Sequence, residues 1–236
     1  SVITAITSQN TLGVSAIFPI PLEHVESQLD AVFTDLNIVA VKVGMLADAN
    51  IIKVVAKKIK QYQPKHLVID PVMVATSGDL LLEHSAISTL KEELVPLADI
   101  ITPNLPEGAA LTGKPVPESE AEMNQMIDNL RSLGAKAVLL SGPCEGAEIT
   151  VVLGANDHEL TDQKIVSNAS CTTNARAPLI KLLDAGFGVE SGQMTTVHCY
   201  TGSQPTVDKP RGDLARSRAA AWSMVPTTTS AQRLMG

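Results

Sequence analysis

The segment KHLVIDPVMV, residues 65–74, decides the fold class, because its apolar centre is short and ends abruptly at Asp70 and Pro71. A brief apolar run bounded by turn-forming residues is typical of a strand buried on both faces of a sheet. Comparable runs predict strands at Val2–Thr7, Ala40–Val43, Ile100–Thr102 and Ala137–Leu140, beside the central one at Leu67–Asp70. The first part of the chain is therefore predicted to form a sheet of short, buried strands.

Helices are predicted between these strands, where apolar residues recur at spacings of three and four with charged residues between them. The segments are Leu22–Leu36, Ala49–Tyr62, Ser85–Ala98, Pro106–Thr112 and Glu118–Leu133. This alternation indicates an α/β architecture, in which a parallel sheet carries helices on both faces. Such sheets bind their ligands at the carboxyl ends of the strands.

Composition and charge restrict the function. The 236 residues are 44% hydrophobic with a net charge of −7, which argues against bulk-charge binding to nucleic acid or to an anionic membrane. No apolar run reaches the roughly 18 residues of a membrane span. The three cysteines lack CxxC spacing, which fits a reducing compartment and neither a disulfide framework nor a zinc site. We expect a cytoplasmic protein that acts on small molecules.

The balance of basic residues changes along the chain. Residues 1–143 carry 10 basic and 16 acidic side chains, and nine of the ten basic residues are lysine. Residues 144–236 carry 8 basic and 9 acidic side chains, and five of the eight basic residues are arginine. The turn-forming segment SGPCEG lies at the change, so two domains are predicted, 1–143 and 144–236.

Polar residues and glycines follow four of the predicted strands, in the loops TSQNT at 7–11, GML at 44–46, DPVMV at 70–74 and TPNLPE at 102–107. Residues of these types also end strands for purely structural reasons, so each loop alone has a second interpretation. Because the carboxyl ends of parallel strands meet at one edge, we expect the four loops to form the rim of a ligand pocket.

The sequence around these loops resembles one enzyme family. The stretches SVITAITSQNTLGV, VKVGMLAD, VIDPVMVATSGDLLL, ITPNLPEGAALTG and AKAVLLSG are similar to hydroxymethylpyrimidine/phosphomethylpyrimidine kinases of thiamine biosynthesis, over residues 1 to about 142. The resemblance implies an incomplete ribokinase-like parallel sheet. It also implies phosphorylation of hydroxymethylpyrimidine or its phosphate, with ATP and Mg²⁺ as cofactors.

The same resemblance implies roles for five residues. Gln9 would recognise the pyrimidine, and an amide suits that edge because it presents a donor and an acceptor together. Met45 and Val72 would line the substrate pocket. Asn104 and Glu107 match the family's N-x-x-E, whose carboxylate acts through water on the magnesium of the nucleotide, so no direct metal ligand is expected.

Two elements of that family are absent from the 236 residues. The family has a glycine-rich substrate loop before the first strand seen here, and it has a Gly-Thr-Gly-Cys turn that leads into a helix. No GxGC or GxGD tetrad occurs in this sequence. In the family this turn supplies backbone N–H groups to the transferring phosphoryl group. We therefore expect little or no kinase turnover unless another chain supplies this element.

Past residue 147 the sequence carries a different chemistry. Strands are predicted at Ile149–Leu153, Ile165–Val166 and Thr195–Tyr200, a helix at Thr172–Leu183 and an arginine-rich loop at Asp208–Arg218. Cys171 lies at the predicted start of the helix, where the helix dipole favours a thiolate. His198, 27 residues later, is the base that such a thiol needs, although a single Cys and a single His are more often structural.

The stretches SNASCTTN, MTTVHCYTGSQPTVD and DLARSRAAAWSMVPTTTSA are similar to the catalytic domain of glyceraldehyde-3-phosphate and erythrose-4-phosphate dehydrogenases. The resemblance covers about residues 148–236 and implies part of an α+β domain in which Cys171 adds to an aldehyde and His198 activates it. It also implies phosphate binding, by Ser170, Thr172, Thr201, Thr229, Arg216 and Arg218. NAD would be the cofactor, but the domain that binds it in that family is not found in this sequence.

Two glycine motifs are predicted to be unrelated to nucleotide binding. The run Gly108–Lys114 satisfies GxxxxGK, but Pro115 replaces the Ser or Thr that would meet magnesium, and the run ends a predicted helix. The segment Gly186–Gly188 begins like a dinucleotide fingerprint, but it follows a helix and is predicted to be a helix C-cap.

Three hypotheses follow. The chain is a kinase-derived pyrimidine-binding protein, an oxidoreductase with a reactive Cys171 thiolate, or a fusion or composite of two proteins without an activity of its own. Two truncated sheets would leave unpaired edges, and the alternative is that both segments pair into one hybrid sheet. Both families usually form homo-oligomers, so a homo-oligomer is considered, and the oligomeric state of this chain stays open.

Overall fold

The computed structural model describes residues 1–10, 13–73, 82, 84–117, 120–144, 146–200, 204–208 and 214–226. The strands are β1 (Ala5–Asn10), β2 (Gly13–Pro19), β3 (Ala40–Val43), β4 (His66–Ile69), β5 (Ile100–Ile101), β6 (Ala137–Leu140), β7 (Ile149–Thr150) and β8 (Ile165–Ser167). The helices are α1 (Leu22–Asp35), α2 (Ala49–Tyr62), α3 (His84–Thr89), α4 (Leu105–Thr112), α5 (Glu120–Arg131) and α6 (Cys171–Phe187).

Six of the strands form one parallel sheet in the order β3-β4-β5-β6-β8-β7. Val43 lies opposite Ile69, Ile69 opposite Ile101, and Ile101 opposite Val138. On the other side of β6, Leu140 lies opposite Ser167 of β8. The prediction of an α/β fold with a parallel sheet is therefore confirmed, and the sheet includes strands from beyond residue 144.

The chain divides into two compact units. The first comprises Ser1–Val151 and Asn156–Ala169, and the second comprises Val152–Ala155 and the chain from Ser170 onward. The six-stranded sheet lies in the first unit, which therefore includes most of the segment between 144 and 169. The compositional change near 143 falls inside this unit, because β6 and β8 are hydrogen-bonded neighbours.

The core of the first unit is built from the strands and the apolar sides of the helices. The buried strand residues are Val43, Leu67, Ile69, Ile101, Val138, Leu140 and Ile165. Helix α2 contributes Ile51, Ile52, Val55 and Ile59, which recur at helical spacing. Asp48 caps this helix, because its carboxylate accepts the N–H groups of Asn50 at 2.7 Å and Ile51 at 3.0 Å.

The first predicted strand differs from expectation. It runs over Ala5–Asn10 instead of Val2–Thr7, and it pairs with β2 in an antiparallel two-stranded sheet that is separate from the parallel one. Strand β2 is not predicted from the sequence, because an antiparallel neighbour close in sequence supplies pairing that apolar runs alone do not reveal. The register shifts between Ser8 and Gln9, which marks a β-bulge.

The helix predicted at Ser85–Ala98 is irregular. After α3 the chain forms a π turn at Leu90–Leu94, closed by the Val95 N–H on the Leu90 carbonyl, and then a 3-10 turn at Val95–Leu97. Pro96 has no N–H and cannot continue an α-helical ladder, which accounts for the change of winding.

In the second unit, α6 begins at Cys171 with Ser170 as its cap and ends at Phe187. The strand predicted at Thr195–Tyr200 is wrong, because this segment has no regular structure. A strand persists only where a neighbour accepts its backbone hydrogen bonds, and none pairs with it in the described part of the chain. Helix α6 also exposes apolar side chains, at Leu179, Leu182, Leu183 and Phe187.

None of the described helices is long and apolar enough to cross a lipid bilayer.

A buried lysine joins α1 to α2. The Lys58 side chain is only 6% exposed, and its Nζ lies 2.6 Å from Asp30 Oδ1 and 3.1 Å from Glu26 Oε1. The Tyr62 hydroxyl donates to the same Asp30 oxygen at 2.8 Å, and the Tyr62 ring stacks on Phe33 with centroids 4.6 Å apart. The hydrogen bond from Lys58 lowers the pKa of Asp30. Asp30 therefore supplies the negative charge that a buried ammonium requires.

We expect Asp30→Asn to lower the melting temperature at pH 7, because Lys58 would lose its closest carboxylate. Since the folded pKa of Asp30 is lowered, its stabilisation is complete above about pH 3.9 and is lost as the pH falls through the folded value. Thermal melts of the wild type and the variant should therefore converge towards low pH. The matched control is Asp35→Asn, at the exposed end of α1. Equal shifts in both variants would contradict this account.

Candidate functional site

Three of the residues assigned from sequence follow neighbouring strands of the parallel sheet. Met45 comes after β3, Val72 after β4, and Asn104 after β5. Because β3, β4 and β5 are parallel, these loops lie at the same edge of the sheet. Met45 and Val72 are half-buried, and the Met45 carbonyl accepts the Thr4 hydroxyl at 2.9 Å. Met45, Val72 and Asn104 therefore lie at the carboxyl ends of three neighbouring strands of the sheet.

Gln9 occupies a different element. It lies within β1 opposite Val14, and its side chain is exposed. The sequence analysis had placed it in a loop after a sheet strand, and the antiparallel pairing of β1 with β2 accounts for the difference. A cavity of about 520 Å³ in the first unit is lined by Met45 and by neither Gln9 nor Val72. The three pyrimidine-site residues are therefore not gathered in this cavity.

Asn104 and Glu107 form a capping box at the start of α4. The Asn104 side chain accepts the Glu107 N–H at 2.9 Å, and Glu107 Oε2 accepts the Asn104 N–H at 2.9 Å. Glu107 is 5% exposed. Burial raises the pKa of its carboxyl, and the negative charge of Asp70 raises it further. The sequence motif thus serves the helix terminus, and it also holds a buried carboxylate at the strand ends.

This arrangement fits magnesium only as an indirect ligand. One Glu107 oxygen is used by the capping box, so the carboxylate has limited capacity for an ion. Within the described ranges, no group of three His, Cys, Asp or Glu side chains could hold a metal. Magnesium commonly keeps several waters and binds through one or two carboxylates together with nucleotide phosphates. Glu107, with Asp70 near it, can meet that requirement through water.

Asp70 is the residue that the sequence analysis did not single out. Its carboxylate lies 2.8 Å from Lys42 Nζ, and its charge acts on Glu107. The signal available in the sequence was an acidic residue at the end of a buried strand, directly before Pro71. Asp70 therefore forms an ion pair with Lys42 of β3, and its charge acts on the Glu107 carboxyl, which follows β5.

The two glycine motifs have the structural roles predicted for them. Gly113 adopts a left-handed conformation with φ of 66° and caps the end of α4, so GxxxxGK does not lead into a helix as a phosphate loop does. Gly188 caps the end of α6, where its N–H donates to the Asp184 carbonyl at 2.8 Å. Both are helix C-caps.

Cys171 and His198 meet in the second unit. Cys171 Sγ lies 3.4 Å from His198 Nε2, and the Nδ1 of the same ring lies 2.6 Å from the Cys199 carbonyl oxygen. The carbonyl oxygen accepts a hydrogen bond from the Nδ1–H, which leaves Nε2 facing the thiol. The hydrogen bond with His198 lowers the pKa of Cys171, and the Cys199 carbonyl raises the pKa of His198. Both shifts favour a thiolate beside an imidazolium.

The residues assigned to phosphate have mixed placements. Ser170 Oγ accepts the Thr173 N–H at 3.1 Å as the cap of α6, and Thr172 lies in the first turn of that helix. Arg218 Nε lies 3.3 Å from Asp208, and Arg216 lies on a short 3-10 turn at Ala215–Ser217. Thr201 and Thr229 lie outside the described residues.

The described residues do not fit NAD. The one dinucleotide-like glycine pair in the second unit ends α6, so its backbone N–H groups do not lie at a strand-to-helix turn. The chain therefore holds a thiol and a base with no recognisable site for a hydride acceptor among the residues described.

Comparison with known proteins extends this account. Residues 1–175 match the sequence model of phosphomethylpyrimidine kinase. The chain belongs to the phosphomethylpyrimidine kinase family. It is 49% identical over 142 residues to the hydroxymethylpyrimidine/phosphomethylpyrimidine kinase of Rhizobium meliloti (strain 1021), covering 60% of this chain and 53% of that protein. The chain thus spans about half the length of this curated relative.

The fold agrees with that assignment. The crystal structure of phosphomethylpyrimidine kinase from Clostridium difficile 630 is 42% identical with a TM-score of 0.55, covering 61% of this chain and 63% of that one. This structural neighbour therefore confirms the prediction that the parallel sheet is ribokinase-like.

Phosphomethylpyrimidine kinase is one of two families that the chain matches. Residues 170–235 match the C-terminal domain of glyceraldehyde 3-phosphate dehydrogenase. The dehydrogenase of Xanthobacter flavus is 55% identical over 104 residues, which are 44% of this chain and 31% of that protein. The two resemblances predicted from the sequence are therefore confirmed, and both are partial. The two matches cover 60% and 44% of this chain, which together are more than its whole length, so the matched segments overlap.

We expect Glu107→Ala to lower the stability of the chain by about 1 kcal/mol, because the capping box loses its reciprocal bond. Glu107→Gln should keep that bond and remove a buried charge. Because the folded pKa of Glu107 is raised, its ionisation is unfavourable to folding at neutral pH, so the Gln variant should be at least as stable as the wild type at pH 7. Chemical denaturation at pH 7 measures both. A Gln variant as unstable as the Ala variant would show that the charge itself is required.

Proposed function

We propose that this chain binds hydroxymethylpyrimidine or its phosphate, and that it derives from an ATP-dependent kinase of thiamine biosynthesis. The observation that carries the proposal is the placement of Met45, Val72 and the Asn104–Glu107 pair after three neighbouring parallel strands. The relatives that match this segment are named for that activity. The kinase activity of the relatives is assigned to the parent of this chain only as part of this proposal.

Each residue would have a distinct task in that site. Met45 and Val72 would contact the apolar parts of the pyrimidine, and the resemblance to the family assigns the ring edge to the Gln9 amide. Glu107 would hold, through water, the magnesium that accompanies the phosphates of ATP. Asn104 positions Glu107, because the two side chains and backbones are bonded reciprocally.

The same proposal includes low turnover. Phosphoryl transfer depends mainly on positioning and on groups that stabilise charge on the moving phosphoryl group. The sequence has no GxGC or GxGD turn to supply backbone N–H groups for this purpose. We therefore expect the chain to bind the pyrimidine but to phosphorylate it little or not at all.

Titration calorimetry with hydroxymethylpyrimidine should show saturable heat, and Met45→Ala should weaken the binding roughly tenfold by removing apolar contact with the ring. The control is Met123→Ala on α5, which lies in a different part of the first unit. Absence of heat at roughly millimolar ligand would contradict the pyrimidine proposal.

A second function is favoured by the contact between Cys171 and His198. We propose that residues 144–236 derive from the α+β catalytic domain of a phosphorylating aldehyde dehydrogenase, and that the Cys171 thiolate is reactive towards carbon electrophiles. When the thiolate adds to an aldehyde, the sulfur would form a bond to the carbonyl carbon as the carbon–oxygen π bond opens. The oxygen would then take the proton from the His198 imidazolium. Hydride transfer is not part of this proposal, because the described residues do not fit NAD.

Iodoacetamide tests this thiolate directly, since alkylation forms a thioether and releases iodide. Cys171 and Cys199 are both exposed and fall in different tryptic peptides, so Cys199 is an internal reference. At pH 7 we expect Cys171 to react faster, and His198→Ala to slow it roughly tenfold for each pKa unit regained. Because its folded pKa is lowered, the advantage should grow as the pH falls towards that value. Equal rates at both cysteines would show that Cys171 is not activated and would contradict this second proposal.

A further inference from the structure

A second cavity, of about 270 Å³, lies at the amino edge of the parallel sheet, opposite to the carboxyl ends of the strands. It is lined by Lys65 and Leu67 around the start of β4, by Asp99 directly before β5, and by Lys136 directly before β6. The amino ends of three neighbouring strands therefore meet at this cavity.

Asp99 holds these three strand ends together. Its carboxylate accepts the Leu67 N–H at 2.7 Å and lies 2.6 Å from Lys136 Nζ, and its carbonyl accepts the Ala137 N–H at 2.9 Å. The hydrogen bond from Lys136 lowers the pKa of Asp99, so the carboxylate stays ionised at neutral pH. Each of its two oxygens already accepts a hydrogen bond. Asp99 is therefore a poor ligand for a further cation.

Three lysines line the cavity, so their ammonium groups outnumber the carboxylate of Asp99. Lys60 Nζ lies 2.9 Å from Glu93 Oε2, and Lys60 also offsets the partial negative charge at the end of α2. An ammonium has three N–H donors, so Lys60 and Lys136 keep donors for a ligand. Among the described residues, Lys65 has no ion-pair partner. The side chains around the cavity thus favour an anion.

Gln63, which also lines the cavity, has a backbone conformation that side chains rarely adopt. It ends α2 at a left-handed φ of 47°, and its N–H donates to the Ile59 carbonyl at 2.9 Å. Glycine normally takes this position at a helix end, because a Cβ strains it. Strained residues of this kind cluster where a side chain contacts a ligand. The Gln63 amide adds an uncharged N–H donor to those of the lysines.

The rest of the lining is mainly apolar. Ile59 and Leu67 are buried, and Leu97 packs against the same core. The cations here are all lysines, which bind phosphate as point charges, whereas the arginine fork matches planar carboxylates better. The cavity is smaller than the roughly 300–1,000 Å³ of sites for drug-sized ligands. A compact ligand with one phosphate group and one apolar ring meets each of these conditions.

We propose that this cavity binds the phosphate monoester of a small aromatic alcohol. The phosphate is held by the ammonium groups and the amide, which come from Lys60, Lys65, Lys136 and Gln63. The ring lies on the apolar lining beside Ile59 and Leu97. The site does not rest on the proposed function, because it shares no residue with the pyrimidine site or with the thiol and its base.

Phenyl phosphate is the probe, at pH 7.5, where a phosphate monoester is mainly dianionic. We expect titration calorimetry to show saturable binding below roughly 1 mM. Inorganic phosphate should bind at least about tenfold more weakly, because it has no ring to contact the apolar lining. Absence of saturation with phenyl phosphate, or equal affinity for inorganic phosphate, overturns the proposal.

Lys65→Gln and Lys53→Gln form a matched pair. Both remove one exposed positive charge, but Lys53 lies on α2 and does not line the cavity. We expect Lys65→Gln to weaken phenyl phosphate binding about fivefold and Lys53→Gln to change it by less than about twofold. Equal weakening by the two variants would show a response to overall charge and would overturn the proposal.

Gln63→Gly separates a ligand-binding role from a structural one. Glycine relieves the left-handed strain, so we expect the melting temperature to rise. Loss of the amide donor should at the same time weaken phenyl phosphate binding about threefold. If Gln63 served the helix end alone, the affinity would be unchanged, and that result would contradict the proposed site.

One further comparison locates the probe. Met45→Ala should leave phenyl phosphate binding unchanged, and Lys65→Gln should leave hydroxymethylpyrimidine binding unchanged, because the two sites lie at opposite edges of the sheet. Weaker phenyl phosphate binding in Met45→Ala would place the probe at the carboxyl edge and overturn the proposal. Failure of this site and failure of the proposed pyrimidine site are therefore distinguishable.

Discussion

The backbone ladder on the two sides of β6 is the interaction on which the rest of the first unit depends. Val138 lies opposite Ile101 on one side and opposite Ile165 on the other, so this four-residue strand is paired along both edges. A buried strand with one free edge would leave N–H and C=O groups without partners in an apolar interior, which is costly. Chain from beyond residue 144 satisfies that requirement by returning as β8.

This pairing brings chain from beyond residue 144 into the core of the first unit. The kinase and dehydrogenase likenesses overlap along the chain, and the sheet continues without interruption from β5 through β6 to β8. Parallel strands of any α/β protein offer the same ladder, so two strands can be neighbours if their apolar faces match. Val138, Leu140 and Ile165 are all buried, which meets that condition. Strands β7 and β8, from beyond residue 144, both lie within the residues that match the kinase model.

Local structure and chemistry coincide at both candidate sites. Asn104 and Glu107 close the start of α4, and the same contact holds a buried carboxylate beside Asp70 at the strand ends. Ser170 caps α6, and the residue after it is the thiol that meets His198. A helix N-terminus needs capping oxygens and also favours negative charge, so one short motif serves both purposes.

The sequence by itself determined the elements whose signal is local. The α2 boundaries, the strands Ala40–Val43 and Ala137–Leu140 and the C-caps at Gly113 and Gly188 follow from periodicity and glycine placement, and the structure has them all. Both family likenesses follow from motifs, and the matching family models confirm them. Tertiary structure alone decided what depends on partners distant in the chain. It paired β1 with β2 away from the main sheet and so removed Gln9 from the strand-end rim. Among the described residues it gave Thr195–Tyr200 no neighbouring strand, and this segment therefore forms no strand. A strand is stabilised by hydrogen bonds to another segment, so its sequence indicates that it pairs but not with which neighbour.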